Sequence, residues 1–144
     1  MATSNAATNY LERRLLHYIF KNNSLSFSSP GDSIYVGVCT AVSAAETGSV
    51  TEASFSGYAR QQVAAASWTT IGADSTDTQT AKNTSAIEFP AKTDSGNVTI
   101  THVIIADASS SGNILFVGAL DASKTLAQND IFRINATNLS IELK

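Results

Sequence analysis

The sequence predicts a mainly β fold: an antiparallel β-sandwich or jelly-roll-like domain of about 7–8 strands, preceded by one N-terminal amphipathic helix. Three observations predict it. Serine and threonine together supply 35 of the 144 residues, and the threonines recur among Val, Ile and aromatic residues, the mixture that suits half-exposed strands. Turn signals punctuate the chain at short intervals after residue 28. Helical periodicity is confined to the first two dozen residues, so nothing suggests the strand-helix alternation of a parallel sheet.

The helix is expected over about residues 9–22. Asn9 can accept an N–H of the first turn and Glu12 lies three residues on, the spacing of a capping box. Leu11, Leu15, Tyr18 and Ile19 follow i, i+4, i+7, i+8 spacing, with Leu16 and Phe20 widening the stripe, so one face is expected to be buried. Residues 1 to 8 lack a core-facing pattern and form an N-terminal segment expected to order only on a partner, while 9–144 form a single β-rich domain. The helix should end at Asn22-Asn23, before the stretch that closes with Ser29-Pro30-Gly31-Asp32.

Ser33 to Thr40 reads as a strand covered on both faces, with Ile34, Val36 and Val38 on one and Tyr35, Gly37 and Cys39 on the other. Ala41 to Gly57, small and polar, reads as a long surface loop. Tyr58 to Ala65 and Ser67 to Ile71 are predicted strands, the second carrying Trp68, the sole tryptophan, as a core anchor. Gly72 to Lys82 has no large apolar residue and reads as an exposed turn region. Thr84 to Phe89 alternates until Pro90, which brings no backbone donor. Val98 to Ala106 and Asn113 to Leu120 form the strongest β pair, joined by Ala108-Ser109-Ser110-Ser111-Gly112. Asp130 to Ile134 and Leu139 to Leu143 close the chain.

Charge and composition bound the function. Net charge is −3, and the Lys and Arg residues form no stripe that could neutralise successive phosphates, so direct nucleic-acid binding is not expected. No apolar run approaches about 18 residues and the N-terminus lacks a basic region followed by an apolar stretch, so no membrane contact is expected and synthesis in the cytoplasm is. Cys39, the only cysteine, reads as a small buried hydrophobe.

Catalytic groups do not converge. Two histidines and one cysteine give no zinc-ligand spacing, and His17 and His102 read as structural hydrogen-bonding groups. A set of His102, Asp107 and a serine lacks a Gly-x-Ser-x-Gly elbow. Asp32, Asp94, Asp121 and Asp130 sit in turns, where they cap backbone, and Asp74-Ser75-Thr76-Asp77 lacks the ligands and glycine of a calcium loop. With no phosphate loop either, the expectation is a protein that is not an enzyme and takes no metal or cofactor. Arg60, a charge within a predicted strand, is expected to form a fixed pair with a carboxylate or to meet a neighbouring subunit.

Six short motifs in one order carry a resemblance. They are Asn9-Tyr10-Leu11-Glu12, Ile34-Tyr35-Val36-Gly37-Val38-Cys39-Thr40-Ala41, Gly57-Tyr58-Ala59-Arg60, Ala86-Ile87-Glu88-Phe89-Pro90, Thr101-His102-Val103-Ile104-Ile105-Ala106-Asp107-Ala108, and Gly118-Ala119-Leu120 with Ser123-Lys124-Thr125. Over nearly its whole length the chain resembles a family of small tailed-bacteriophage virion structural proteins, often labelled tail fibre proteins and similar to capsid decoration (cement) proteins. The Ser/Ala-rich stretch before Gly57 departs from the more glycine-rich lead of that family.

The resemblance implies a β-sandwich-like subunit of the virion that oligomerises and has no catalytic residues. The preferred role is a capsid decoration protein that binds the major capsid protein and copies of itself, as a trimer at three-fold positions between capsomers. The alternatives are a tail, fibre or adaptor component bound to tail proteins, or a host-surface glycan-binding module. Tyr10, Arg13, Arg14, Glu46, Tyr58 and Arg60 are the candidate interaction surface.

Overall fold

The apolar runs of the sequence become three long central strands of one curled antiparallel sheet. The structure is a computed structural model that describes residues 5–21, 34–69 and 79–143. Its elements are β1 (Ala6–Ala7), α1 (Asn9–Lys21), β2 (Tyr35–Ala44), β3 (Ser49–Glu52), β4 (Gln61–Gln62), a 3-10 turn at Ala65–Ser67, β5 (Gln79–Lys82), β6 (Ile87–Glu88), β7 (Val98–Ala106), β8 (Ile114–Leu126), β9 (Arg133–Ile134) and β10 (Ser140–Leu143). The main sheet runs β1-β8-β7-β2-β3, with β4 also on β2, and two short ladders, β10-β5 and β6-β9, complete the sandwich-like domain.

Register places the side chains. Val38, Val103 and Gly118 lie in one cross-strand row, and Val36, Ile105 and Phe116 in another on the same face. That face packs against Phe55, Ile87, Phe89, Phe132 and Ile134, which the loops and the β6-β9 ladder carry over it. Phe55, Tyr58, Phe89 and Phe132 form a chain of rings at centroid distances of 5.4, 6.2 and 5.7 Å, spacings at which aromatic contacts add to burial. The opposite face carries Cys39, Ile104 and Val117, closed over by Ala45, Val42 and Val50 as β2 and β3 curl. Both faces of the sheet are therefore covered, as the unbroken apolar run of β2 requires.

Several expectations are met and others corrected. The pair Val98 to Ala106 with Asn113 to Leu120 is present as β7 and β8, and β8 continues to Leu126. Cys39 is buried and Trp68 packs at the core margin. The stretch expected as a long surface loop, Ala41 to Gly57, is instead largely a hairpin. β2 runs on to Ala44, residues 45–48 turn, and β3 returns with Val42 opposite Val50. Two valines in register suffice to seat small and polar neighbours in a sheet when a core lies beneath them. The expected strand Tyr58 to Ala65 shrinks to Gln61–Gln62 because Tyr58 and Arg60 turn toward β3. Of the expected turn Gly72 to Lys82, residues 79–82 pair with β10 as β5, and 70–78 lie outside the described residues. So do the expected helix end at Asn22-Asn23 and the turn at Asp32.

Residues 5–8 are woven into the domain, and 1–4 lie outside the described residues. Ala6 and Ala7 pair with Val117 and Phe116. Thr8, 1% exposed, donates from Oγ1 to the Ile114 carbonyl at 2.6 Å and accepts the Leu11 N–H at 3.4 Å. Its own carbonyl accepts the Glu12 N–H, so Thr8 and not Asn9 caps α1.

Two buried polar side chains, unremarked in the sequence, hold the irregular segments. Asn83, fully buried, donates from Nδ2 to the carbonyls of Ser85 and Asn135, and its Oδ1 accepts the Leu139 N–H. Lys92, 2% exposed, donates to the carbonyls of Asp94 and Ser95 and lies 3.1 Å from the Asp94 carboxylate. Gly57 is required where it stands: φ is +95°, and a Cβ would meet the Ala91 carbonyl oxygen at 2.7 Å.

Asn83→Ala removes the partners of three backbone groups around a buried side chain, and is expected to lower stability by about 2–4 kcal/mol. Exposed Thr84→Ala should change it by less than about 0.5 kcal/mol. Urea denaturation of both variants, followed by Trp68 fluorescence, measures the difference.

Candidate functional site

The six residues singled out in the sequence fall into two groups. Tyr58 and Arg60 belong to a closed polar network on β2 and β3; Tyr10, Arg13 and Arg14 lie on α1, and Glu46 sits beside its first turn.

The network is built over Gly37. A Cβ there would lie 2.9 Å from Tyr58 Oη and 3.0 Å from both Glu52 Oε1 and Ile104 Cγ1, so only glycine lets these groups approach the strand. Tyr58 donates its hydroxyl proton to Glu52 Oε1 at 2.6 Å and accepts the Val38 N–H at 3.1 Å. Arg60 donates from Nε and Nη2 to the two Glu52 oxygens, each at 2.8 Å, the bidentate geometry of a strong charge-assisted pair. Its Nη1 reaches the carbonyls of Ala108 and Ser111, both at 2.8 Å, pinning the loop between β7 and β8.

Burial lifts the Glu52 carboxyl, but the hydrogen bonds from Arg60 and Tyr58 more than reverse this and hold it below its ordinary value. Burial, with Glu52 adding to it and Arg60 opposing, pushes the nearby Cys39 thiol up to about 12. The network is a structural lock, in which Tyr58 and Arg60 are held by partners within the domain.

The helix presents a surface. Tyr10, Leu11, Arg14 and His17 are its half-buried positions, with Tyr10, Arg14 and His17 at i, i+4, i+7 forming the ridge that leans on the domain. The Arg14 guanidinium stands over the Tyr10 ring at 5.3 Å. Leu15, Leu16, Tyr18, Ile19 and Phe20 are exposed, Leu16 by 56% and Phe20 by 73%. The expected buried stripe is corrected: no residue of α1 is buried, and apart from Leu11 the apolar stripe points to solvent. The reason lies in the anchor. Thr8 and the Asn9 N–H, which donates to the Glu46 carbonyl at 2.6 Å, fix the exit direction and rotation of the helix, so its polar ridge meets β8. Arg13 and Glu46 are exposed near this start.

Catalytic chemistry gains no support from the geometry. The His102 ring shares a hydrogen bond with Thr101 Oγ1 at 2.8 Å, and burial holds it below its ordinary value. Asp107 accepts the N–H and Nδ2–H of Asn113, and Asp94 and Asp130 accept the N–H groups of Ser56 and Ala127, as turn residues do. Among the described residues no group of three or more His, Cys, Asp and Glu could hold a metal ion, and no helix is long and apolar enough to cross a membrane.

Residues 6–142 match the family model described as podophage GP4 fiber I protein gp80. The chain belongs to that fibre protein family. Membership agrees with the resemblance read from the six motifs and implies a place in the virion. No curated protein matches the chain.

Because the Glu52 carboxyl is lower in the folded chain than its ordinary 4.5, the unfolded chain binds the extra proton. The stabilisation is thus full above about pH 4.5 and fades as pH falls through the folded-state value. His102, held below its ordinary 6.5 by burial, acts in the same sense from pH 6.5 downward. Glu52→Gln should be less stable than wild type at pH 7 and should flatten the loss below pH 4.5, leaving the parts of His102 and of Asp94, which Lys92 also holds below its ordinary value, as read by urea midpoints from pH 3 to 8. The Cys39 thiol should resist a disulfide reagent at pH 8 in the native protein and react fully once unfolded.

Proposed function

We propose that the chain is a non-enzymatic structural subunit of the phage's fibre apparatus, mounted at the tail. The family match across residues 6–142 carries the reading, and it moves the preference from capsid decoration, favoured by the sequence, to the tail or fibre alternative. The fold is compatible with a load-bearing part: both sheet faces are covered, and Glu52, Arg60, Asn83 and Lys92 are spent on internal bonds. A glycan-binding role draws less support, since Trp68 and Tyr58 pack against the core instead of forming an open aromatic platform.

Copy number tests the proposal. Quantitative mass spectrometry of purified virions, scaled to the major capsid protein, is expected to give a few to tens of copies. Hundreds of copies would place the chain on the head shell and overturn the tail assignment. Antibody labelling in electron micrographs should mark one vertex in the first case and the whole shell in the second.

A further inference from the structure

The outward face of α1 is apolar along its centre and basic along one edge. At 3.6 residues per turn, Leu15, Ile19, Leu16 and Phe20 fall within an arc of about 140°, and all four are exposed, from 45% at Leu15 to 73% at Phe20. Tyr18, 55% exposed, stands at one margin of the arc. Arg13 and Lys21, with His17 between them at i+4, border the other margin. Both cations are exposed, and neither makes an ion pair among the described residues.

Charge sets the helix apart from the rest of the chain. Arg13, Arg14 and Lys21 against Glu12 give α1 a net charge of +2, and the whole chain carries −3, so the remaining residues together carry −5. Glu12 lies in the first turn, and from Arg13 onward the helix has no acidic side chain.

We propose that α1 is an interfacial anchor, its outward face lying in the surface of a bilayer that contains anionic phospholipid. An apolar stripe bordered by Arg and Lys on one side and by tyrosine on the other settles at headgroup depth, its apolar side chains about 5–10 Å into the acyl boundary. Charge complementarity selects the lipid. The free cations sit on the helix that displays the stripe, so an acidic surface draws this part of an otherwise acidic molecule and repels the remainder. A protein groove is the weaker match, because the arc of Leu15, Leu16, Ile19 and Phe20 holds no hydrogen-bonding side chain to set a register. A fluid surface requires none.

Geometry permits the contact. Thr8 and Asn9 hold the start of the helix so that Tyr10, Arg14 and His17 lean on the domain, and the opposite face meets a plane without displacing the sheet. The expectation of no membrane contact rests on the lack of a spanning segment, which stands among the described residues. Contact in the plane of the surface needs only the exposed stripe. The inference concerns the helix and does not depend on where on the particle the chain sits.

The test is flotation of the full chain with extruded vesicles of phosphatidylcholine, either alone or with about 30% phosphatidylglycerol as the acidic lipid. Wild type is expected to float with the acidic vesicles, to bind the neutral ones about tenfold more weakly, and to lose affinity as salt rises from about 0.1 to 0.5 M. Arg13→Gln with Lys21→Gln should weaken binding to acidic vesicles by roughly ten- to thirtyfold. Leu16→Gln with Phe20→Gln should abolish it. Thermal melts of both variants should stay cooperative, because all four positions are exposed. Phe20→Trp should bind like wild type and shift its emission to the blue on acidic vesicles, as a residue that enters the bilayer does. Wild type that fails to float with acidic vesicles overturns the proposal and leaves the face to a protein partner. Equal binding to both kinds of vesicle overturns it as well, and so does a folded Leu16→Gln, Phe20→Gln variant that still floats.

Discussion

The absence of a side chain at Gly37 is the constraint from which one whole side of the molecule follows. Because β2 is bare at that point, Tyr58 can place its hydroxyl between the Val38 N–H and Glu52. Glu52 is then held where Arg60 can grip both its oxygens, and Arg60 still has a nitrogen left to bind the loop between β7 and β8. β2, β3, the segment carrying Tyr58 and Arg60, and the distant β7-β8 loop are tied by one network, with Arg60 only 6% and Glu52 27% exposed at the side chain. A pair so shielded is costly to desolvate, and its net contribution to stability is smaller than its geometry suggests. What it fixes is register and closure: β3 cannot slide on β2, nor the β7-β8 loop lift, without leaving charge unpaired.

The same logic operates on the opposite face with neutral and cationic groups. Segments 83–97 and 127–139 contain little regular structure, so their backbone N–H and C=O groups have no long ladder to satisfy them, and buried groups must be bonded. Asn83 and Lys92 meet that need by reaching carbonyls directly, while Phe89 and Phe132 provide the apolar mass beneath. Hydrophobic burial drives the sandwich together, and a few polar side chains decide the path of the loops that cover it.

How much of this was legible in the sequence follows from what kind of signal each feature leaves. β2, β7 and β8 were readable because alternating or continuous β-branched residues mark strands on their own. Arg60 was readable as a fixed pair because an arginine within a strand calls for a carboxylate, yet nothing in the chain named Glu52, eight residues away across a loop. Asn83 and Lys92 were invisible because their partners are backbone carbonyls, which carry no residue signature. The Val42–Val50 hairpin was missed because its small neighbours dilute the pattern. The helix was found, but amphipathicity says only that one face is apolar, not which side the fold will present to the sheet. That side was settled by Thr8, whose burial no local pattern announces.

The orientation of α1 is thus set by its anchor at Thr8 and Asn9, against what burial of its apolar stripe would favour. An isolated helix of 13 residues is marginal in water, and this one buries no residue; its cap at Thr8, its contact with β8 and the Arg14–Tyr10 stack hold it at one end. A chain under selection only to fold would turn Leu15, Leu16, Ile19 and Phe20 inward, since each side chain buried there contributes on the order of 1.5–3 kcal/mol. Instead the polar groups are bonded inside the domain, and the apolar stripe of the helix is left outside. Such a division shows that the anchor at the start of α1, and not burial of its apolar stripe, decides where the helix stands.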